Sequence, residues 1–133
     1  MNDKTYYMNR KRLIVQVDFD DTITDDSECF PNIGKIRPNV SEVMNRLSKK
    51  GVRFILFSAR DNKNLAIVKD FIKEHNLPIE TINKNVVDAK YRTRKLCHDI
   101  NIDDRSLDIN LNWLVIEKKI ENIINGGFHR EVN

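Results

Sequence analysis

Short apolar runs alternate with amphipathic stretches along most of this chain. Residues 13–19 (LIVQVDF) and 52–58 (VRFILFS) are rich in β-branched and aromatic side chains, which is typical of buried parallel strands. A helix is expected between them, with Pro38 in its first turn and Gly51 after its end. Its apolar stripe follows helical spacing: Val40, Val43, Met44 and Leu47. This strand–helix–strand order predicts a right-handed crossover that makes the two strands parallel.

The alternation continues through the second half of the chain. A second amphipathic helix is predicted at about residues 62–75, then a weakly marked strand at 80–83 and a weakly marked helix at about 87–97. Residues 98–104 (HDINIDD) alternate apolar and polar positions and end in two aspartates, which predicts a further strand. Residues 112–125 (NWLVIEKKIENIIN) predict a last amphipathic helix.

This pattern predicts one α/β domain over residues 1–133, with a Rossmann-like three-layer α/β/α fold and a mostly parallel sheet. A chain of this length is enough for one domain and too short for two ordinary ones. Residues 1–12 are interpreted as a polar lead-in to the first strand. The connection over residues 20–37 is long for a strand-to-helix loop, and we expect it to form a short flap.

Composition and charge restrict the function only weakly. The chain is 40% hydrophobic and 32% charged with a net charge of +3, as in ordinary globular proteins. Its apolar runs are too short to cross a membrane and its first residues lack a signal-peptide core, so a cytoplasmic location is expected. Cys29 and Cys97 are therefore expected to be reduced thiols. The basic clusters indicate solvated helix faces or, alternatively, a rim that attracts an anionic substrate.

Residues suited to chemistry follow the predicted strands. Ligands bind beyond the carboxyl ends of strands in open parallel sheets, so side chains at those ends are expected to converge. Carboxylates brought together in this way bind Mg²⁺, which keeps positions open for water and for phosphate oxygens. The candidates lie at strand ends or on the helix before the last strand: Asp18, Asp20, Thr22, Ser58, Ala59, Arg60, Lys90, Lys95, Asp103 and Asp104.

Four ordered segments resemble the motifs of the haloacid dehalogenase-like (HAD) superfamily of phosphatases. They are VDFDDT at 17–22, ILFS at 55–58, an upstream lysine, and INIDD at 100–104. The resemblance spans roughly residues 13–116. It implies a small member of the superfamily without a cap domain, because one interval between motifs holds only a flap and the next only a helix, a short strand and a helix.

The resemblance also implies the roles of the first two acids. Asp18 is expected to be the nucleophile that forms an aspartyl-phosphate. Asp20 is expected to protonate the leaving alcohol and then to activate water, which requires a carboxyl group whose protonation state is tuned by its surroundings. Many members have glycine at the position of Asp21. If the backbone is left-handed there, aspartate tolerates this conformation better than most residues.

The remaining roles concern phosphate and metal binding. The resemblance implies that Ser58 binds a phosphoryl oxygen, with Thr22, Ala59 and Arg60 also assigned to the substrate site. Lys95, or alternatively Lys90, is expected to neutralise the negative charge at the reacting centre. The expected Mg²⁺ ligands are the Asp18 carboxylate, the Asp20 backbone carbonyl, Asp103 and, directly or through water, Asp104.

The sequence therefore predicts a Mg²⁺-dependent phosphomonoesterase that acts on a small phosphoester or a nucleotide. One alternative is a phosphatase of polynucleotide 3′ ends, since nucleic acid fits the mild positive charge without being required by it. Another is a non-catalytic phosphoacceptor or binding module on the same fold. No membrane partner is expected. A site without a cap domain is open to solvent, and formation of a homo-oligomer is one way to close it.

Overall fold

The computed structural model describes residues 13–86 and 98–126. These residues form four strands and three helices, in the order β1 (Ile14–Asp18), α1 (Val40–Lys49), β2 (Arg53–Phe57), α2 (Asn62–Glu74), β3 (Ile79–Ile82), β4 (Ile100–Ile102) and α3 (Trp113–Asn125). The strands make one sheet with the order β3-β2-β1-β4, and every pairing is parallel. The predicted Rossmann-like α/β fold with a parallel sheet is confirmed.

Strand β1 lies in the middle of the sheet and sets the position of the predicted site. Its register pairs Asp18 with Phe57 on β2 and Val17 with Ile102 on β4. Because the strands are parallel, the residues that follow β1, β2 and β4 leave the sheet at the same edge. The acids after β4 and the serine after β2 therefore flank the acids at the end of β1.

The main core lies on one face of the sheet. Val15 and Val17 alternate with Ile14 and Gln16 along β1, so one pair faces each side. Val15 and Val17 join a buried cluster to which each of the three helices contributes, through Val43 of α1, Val68 of α2 and Ile116 of α3 among others. A smaller cluster holds Ile14, Ile55 and Val86.

Two predicted segments have no counterpart in the described part of the chain. The polar lead-in at residues 1–12 and the helix at 87–97, which carries Lys90, Lys95 and Cys97, lie outside the described residues. The described residues thus account for the sheet and for the helical layer that packs on the main core. Within residues 13–86 and 98–126, no cap domain interrupts the order of elements, and no helix is long and apolar enough to cross a bilayer.

The prediction that Pro38 lies in the first turn of α1 is wrong. Helix α1 begins at Val40, and the preceding Asn39 has a left-handed backbone with φ of 68°. A left-handed residue cannot continue a right-handed helix, so Pro38 is separated from the first turn. The other helices and strands that were predicted within residues 13–86 and 98–126 begin and end close to the expected positions.

The expected flap is present between β1 and α1. It is closed by an isolated antiparallel bridge between Thr24 and Ile36, and the Asp25 N–H donates to the Lys35 carbonyl at 2.8 Å. Gly34 is required here, because a Cβ atom at this position would lie 2.3 Å from the Asp25 carbonyl oxygen. We call residues 25–36 the flap from here on.

Candidate functional site

Three carboxylates meet where β1 and β4 end. Asp18, Asp103 and Asp104 each offer one oxygen, and these oxygens all lie within 4.8 Å of one another. The parallel register explains the meeting, since Val17 lies beside Ile102 and the next residues leave the sheet together. All three side chains are partly buried. We call Asp18, Asp103 and Asp104 the acid cluster.

The Thr22 hydroxyl lies between two carboxylates of the acid cluster. The side chain is fully buried, and its Oγ1 lies 3.2 Å from both Asp18 Oδ2 and Asp104 Oδ1. The same oxygen accepts a hydrogen bond of 2.9 Å from the Asp104 backbone N–H. A hydroxyl has one hydrogen, so Thr22 donates to one carboxylate at a time. The sequence assigned Thr22 to substrate binding, and the structure places its hydroxyl between two acids.

The helix α3 holds Thr22 in this position. The Trp113 Nε1–H donates to the Thr22 carbonyl oxygen at 3.2 Å, and Trp113 is almost entirely buried. A buried indole N–H needs an acceptor, and this one lies in the loop that carries the acids. The first turn of α3 and the loop after β1 therefore support each other.

Crowding of negative charge perturbs Asp18. Burial, a hydrogen bond with Asp104 and the charges of Asp103 and Asp104 raise the pKa of Asp18 to about 7, while the hydrogen bond from Thr22 acts in the opposite direction. Carboxylates this close favour a protonated form unless a cation balances them. The donors are all oxygens, which is the chemistry that Mg²⁺ and similar hard cations require. The residues of the acid cluster therefore fit such an ion.

Asp20 has a different environment, although it follows Asp18 by only two residues. Arg60 Nε lies 2.8 Å from Asp20 Oδ2, and Arg60 Nη2 lies 2.9 Å from Asp20 Oδ1. The two bonds form a bidentate ion pair, the strongest geometry for arginine and a carboxylate. The Arg60 side chain is 2% exposed and that of Asp20 is 42% exposed.

Arg60 also reaches the flap. Its Nη1 donates to the Pro31 carbonyl at 2.7 Å, and its Nη2 donates to the Asn32 carbonyl at 3.1 Å. The guanidinium carbon lies 4.9 Å from the centre of the Phe30 ring, within the range of a cation–π contact. We call this set of contacts the Arg60 clamp. The sequence assigned Arg60 to substrate binding and did not predict the clamp.

Ser58 lies at the end of β2, where the sequence predicts a phosphoryl-binding hydroxyl. Its Oγ accepts a bond of 3.1 Å from the Arg60 backbone N–H, and a hydroxyl that accepts can still donate its own hydrogen. Ala59, also assigned to the substrate site, is exposed beside it. Ser58 is buried, so its orientation is set by the protein around it.

Asn83 is a residue of the site that sequence reasoning missed. Its Oδ1 accepts from the Ser58 N–H at 2.8 Å, and its Nδ2 donates to the Ser58 carbonyl at 3.0 Å. Asn83 follows β3 with a left-handed backbone, φ 56°. An asparagine as the last residue of a predicted strand at this sheet edge was the signal that could have identified it.

Asp21 follows Asp20 in the turn after β1 and contacts Arg37, the residue that follows the flap. Its φ is 63°, so the left-handed backbone that would favour glycine is present and aspartate occupies it. Its carbonyl accepts a bond of 2.9 Å from Arg37 Nη2. Burial and the charges of Asp104, Asp20 and Asp26 raise the pKa of Asp21, against the effect of Arg37.

Among the comparisons with known proteins, one solved structure supports the fold, and none names an activity. No family model matches the chain, and no curated protein matches it. A solved structure described as a conserved protein from Bacteroides thetaiotaomicron is 28% identical, covers 84% of this chain and 91% of its own, and superposes with a TM-score of 0.74. A structure from Vibrio cholerae is 21% identical over 84% of this chain and 99% of its own, with a TM-score of 0.45. Function therefore rests on the residues of this chain.

Proposed function

We propose that this chain is a Mg²⁺-dependent phosphomonoesterase that works through an aspartyl-phosphate on Asp18. The observation that carries the proposal is the acid cluster, whose three carboxylate oxygens lie within 4.8 Å of one another around the Thr22 hydroxyl. The order of the motifs, which resemble those of HAD-like phosphatases, supports the same activity. We propose a small phosphoester or a nucleotide as the substrate.

The carboxylates of Asp18, Asp103 and Asp104 would hold the metal ion. Bound there, Mg²⁺ supplies positive charge that balances the acids and the phosphoryl oxygens of the substrate. The raised pKa of Asp18 supports this assignment, since the cluster carries more negative charge than its own hydrogen bonds offset. The backbone carbonyl of Asp20 remains a predicted further ligand.

Asp18 and Asp20 divide the proposed reaction between them. An oxygen of Asp18 attacks phosphorus, the bond from phosphorus to the alcohol oxygen breaks, and Asp20 gives its proton to that oxygen. Water then attacks phosphorus, Asp20 takes a proton from the water, and phosphate leaves with Asp18 restored. Ser58 donates its hydrogen to a phosphoryl oxygen throughout, which holds the group in line.

The exposure of the two reacting acids suits these roles. Asp18 is partly buried at the sheet edge, where a phosphoryl group would be shielded from bulk water. Asp20 is 42% exposed, and each of its oxygens has a second lone pair besides the one bonded to Arg60. A leaving alcohol can therefore approach Asp20 from solvent, while Arg60 holds the Asp20 carboxylate from its buried side.

A turnover assay tests the proposal. Purified protein is incubated with p-nitrophenyl phosphate, phosphosugars, nucleotides and 3′- or 5′-phosphorylated oligonucleotides, with Mg²⁺ or with a chelator. We expect many turnovers per molecule on at least one class with Mg²⁺ and none with the chelator. A single stoichiometric phosphorylation would identify the phosphoacceptor alternative, and activity confined to 3′-phosphorylated oligonucleotides would identify the polynucleotide-end phosphatase. No reaction on any substrate would refute the proposal.

A further inference from the structure

We propose that Arg60 is a positioning residue, which fixes the Asp20 carboxylate for proton transfer and joins it to the flap. The role of Asp20 in this inference rests on the proposed phosphatase function. The geometry of the Arg60 clamp does not depend on that function. It is given by the contacts themselves, among them the ion pair between Arg60 and Asp20, which are 40 residues apart in the chain. The clamp can therefore be tested both with and without catalysis.

The clamp fixes Asp20 from several directions. Two bonds of 2.8 and 2.9 Å to one carboxylate restrict both its rotation and its tilt. The arginine is buried, and a buried charge is costly unless it is paired and hydrogen-bonded. When it is ionised, Asp20 supplies the opposite charge, while the carbonyls of Pro31 and Asn32 accept hydrogens from Arg60 in either protonation state of Asp20. Both partners therefore gain from remaining in contact.

Asp20 needs such support because the sheet does not provide it. Strand β1 ends at Asp18, and Asp20 lies in the turn that follows. Proton transfer requires heavy atoms about 2.6–3.2 Å apart, and a displacement of about 1 Å can reduce a rate by about 100-fold. Arg60 gives the turn a fixed point on the segment after β2.

The same segment carries Ser58. The Arg60 N–H donates to Ser58 Oγ at 3.1 Å, so the side chain that clamps Asp20 and the hydroxyl predicted to bind the phosphoryl group share three residues of backbone. The clamp therefore sets the distance between the leaving-group side of the site and its phosphoryl side. Lysine cannot replace arginine here, because it lacks the planar fork that makes two parallel bonds.

The kinetic test compares Arg60→Lys with Arg46→Lys, a control at a second bidentate pair whose arginine is half exposed. Arg46 also makes a bidentate pair, to Glu117 at 2.8 and 3.0 Å, but it joins α1 to α3 away from the flap. We measure kcat/KM for p-nitrophenyl phosphate, which needs little acid assistance, and for phenyl phosphate, which needs more. Arg60→Lys is expected to lower the phenyl phosphate value by about 100-fold and the p-nitrophenyl phosphate value by less than about 10-fold. The control is expected to change neither by more than about 2-fold.

Equal losses on the two substrates would overturn the positioning role, because a general structural defect lowers both alike. Thermal unfolding establishes that each variant is folded. If Arg60→Lys does not fold, Asp20→Asn is used for the exchange measurement below, since it keeps the side-chain volume and removes the charge that Arg60 pairs with. The two variants break the same ion pair from opposite sides.

Hydrogen exchange tests the clamp without any activity. The Asn32 N–H donates to the Cys29 carbonyl and the Asp25 N–H to the Lys35 carbonyl, so both report on the flap. We expect these amides to exchange at least about 10-fold faster in Arg60→Lys or Asp20→Asn, while the amides of β1 keep their protection. Unchanged flap protection would overturn the clamp. Absence of any turnover by the wild-type protein would refute the proposed function, and the exchange data would then decide the clamp alone.

Discussion

Asp18 and Asp20 are the same side chain two positions apart, yet the protein balances their charges in different ways. Asp18 faces two more carboxylates, and its pKa is raised to about 7 by burial and by those neighbours. Asp20 faces a buried arginine that contacts both of its oxygens. The carboxylates around Asp18 need a cation from solution to balance their charge, whereas Asp20 is already paired with the cationic side chain of Arg60. The comparison shows that the surrounding charges, rather than the motif spacing, distinguish a candidate metal ligand from an ion-paired acid.

Replacing Asp18 should have the largest effect of the changes considered. Asp18→Asn replaces one carboxylate oxygen with an amide nitrogen and so removes the charge and the nucleophilicity while keeping the volume, and we expect phosphatase turnover to fall by at least about 10⁴-fold. Steady-state assays with p-nitrophenyl phosphate measure this, and thermal unfolding shows whether the variant is folded. Asp70→Asn, on the exposed face of α2, is the matched control and should keep full activity. Turnover that survives in a folded Asp18→Asn protein would contradict the assignment of the nucleophile.

Metal binding should stabilise the acid cluster and leave the Asp20–Arg60 pair unaffected. At a Mg²⁺ concentration about 100 times its dissociation constant, binding to the folded state raises the free energy of unfolding by about 2.7 kcal/mol. Denaturant titrations with and without Mg²⁺ measure the difference. We expect Asp103→Asn to reduce it strongly and the Arg46→Lys control to leave it intact. Equal stabilisation of wild type and Asp103→Asn would place the ion elsewhere.

The pH dependence of stability should report the crowding of negative charge around Asp18. Burial and the neighbouring carboxylates raise the pKa of Asp18 from 3.8 to about 7 in the folded protein, so folding takes up a proton between these values. Its contribution is therefore fully present below about 3.8 and is lost as the pH rises through about 7. Without divalent ions, the wild-type protein should lose stability relative to Asp18→Asn over this window. Urea unfolding at several pH values measures the difference, and parallel curves would contradict the prediction.

The smallest expected effect concerns Asp21, which lies between the two regions. Asp21→Ala places an ordinary side chain at a φ of 63°, and we expect it to lower the free energy of unfolding by about 1 kcal/mol. Asp21→Asn keeps a residue that tolerates this backbone and removes one negative charge, so it should be neutral or slightly stabilising. Chemical denaturation of the pair measures the difference. A greater loss with asparagine than with alanine would show that the carboxylate itself is needed.

The sequence was sufficient to predict the sheet and the residues at its carboxyl edge. Apolar β-branched runs define β1 and β2, and parallel strands bring Asp18, Ser58 and Asp103 to one edge as a matter of topology. The left-handed backbone at Asp21, which the sequence raised only as a condition, is present with a φ of 63°. These features depend on local pattern and on the rules of parallel sheets, which the sequence carries directly.

The partners of long side chains could not be predicted in the same way. Arg60 follows Ser58, so its position alone suggested contact with substrate, whereas its actual partners depend on how the flap folds over it. Asn83 was missed because its role requires the pairing of β2 with β3, whose register shifts between Phe54 and Ile55. Helical periodicity could not predict where α1 begins. The start at Val40 depends on the left-handed backbone of Asn39, which the apolar pattern does not show.

The bond from Trp113 to Thr22 has a consequence for the order in which the site is assembled. The two residues are 91 positions apart, and a ribosome makes β1 and the loop after it long before it makes α3. Until α3 emerges, Thr22 lacks the indole that holds it, and Asp103 and Asp104 have only just been added. We therefore expect the acids to stay apart and hydrated on the nascent chain until then, so that a cation finds no formed site. The fold and the site are therefore completed at the same stage, when α3 forms.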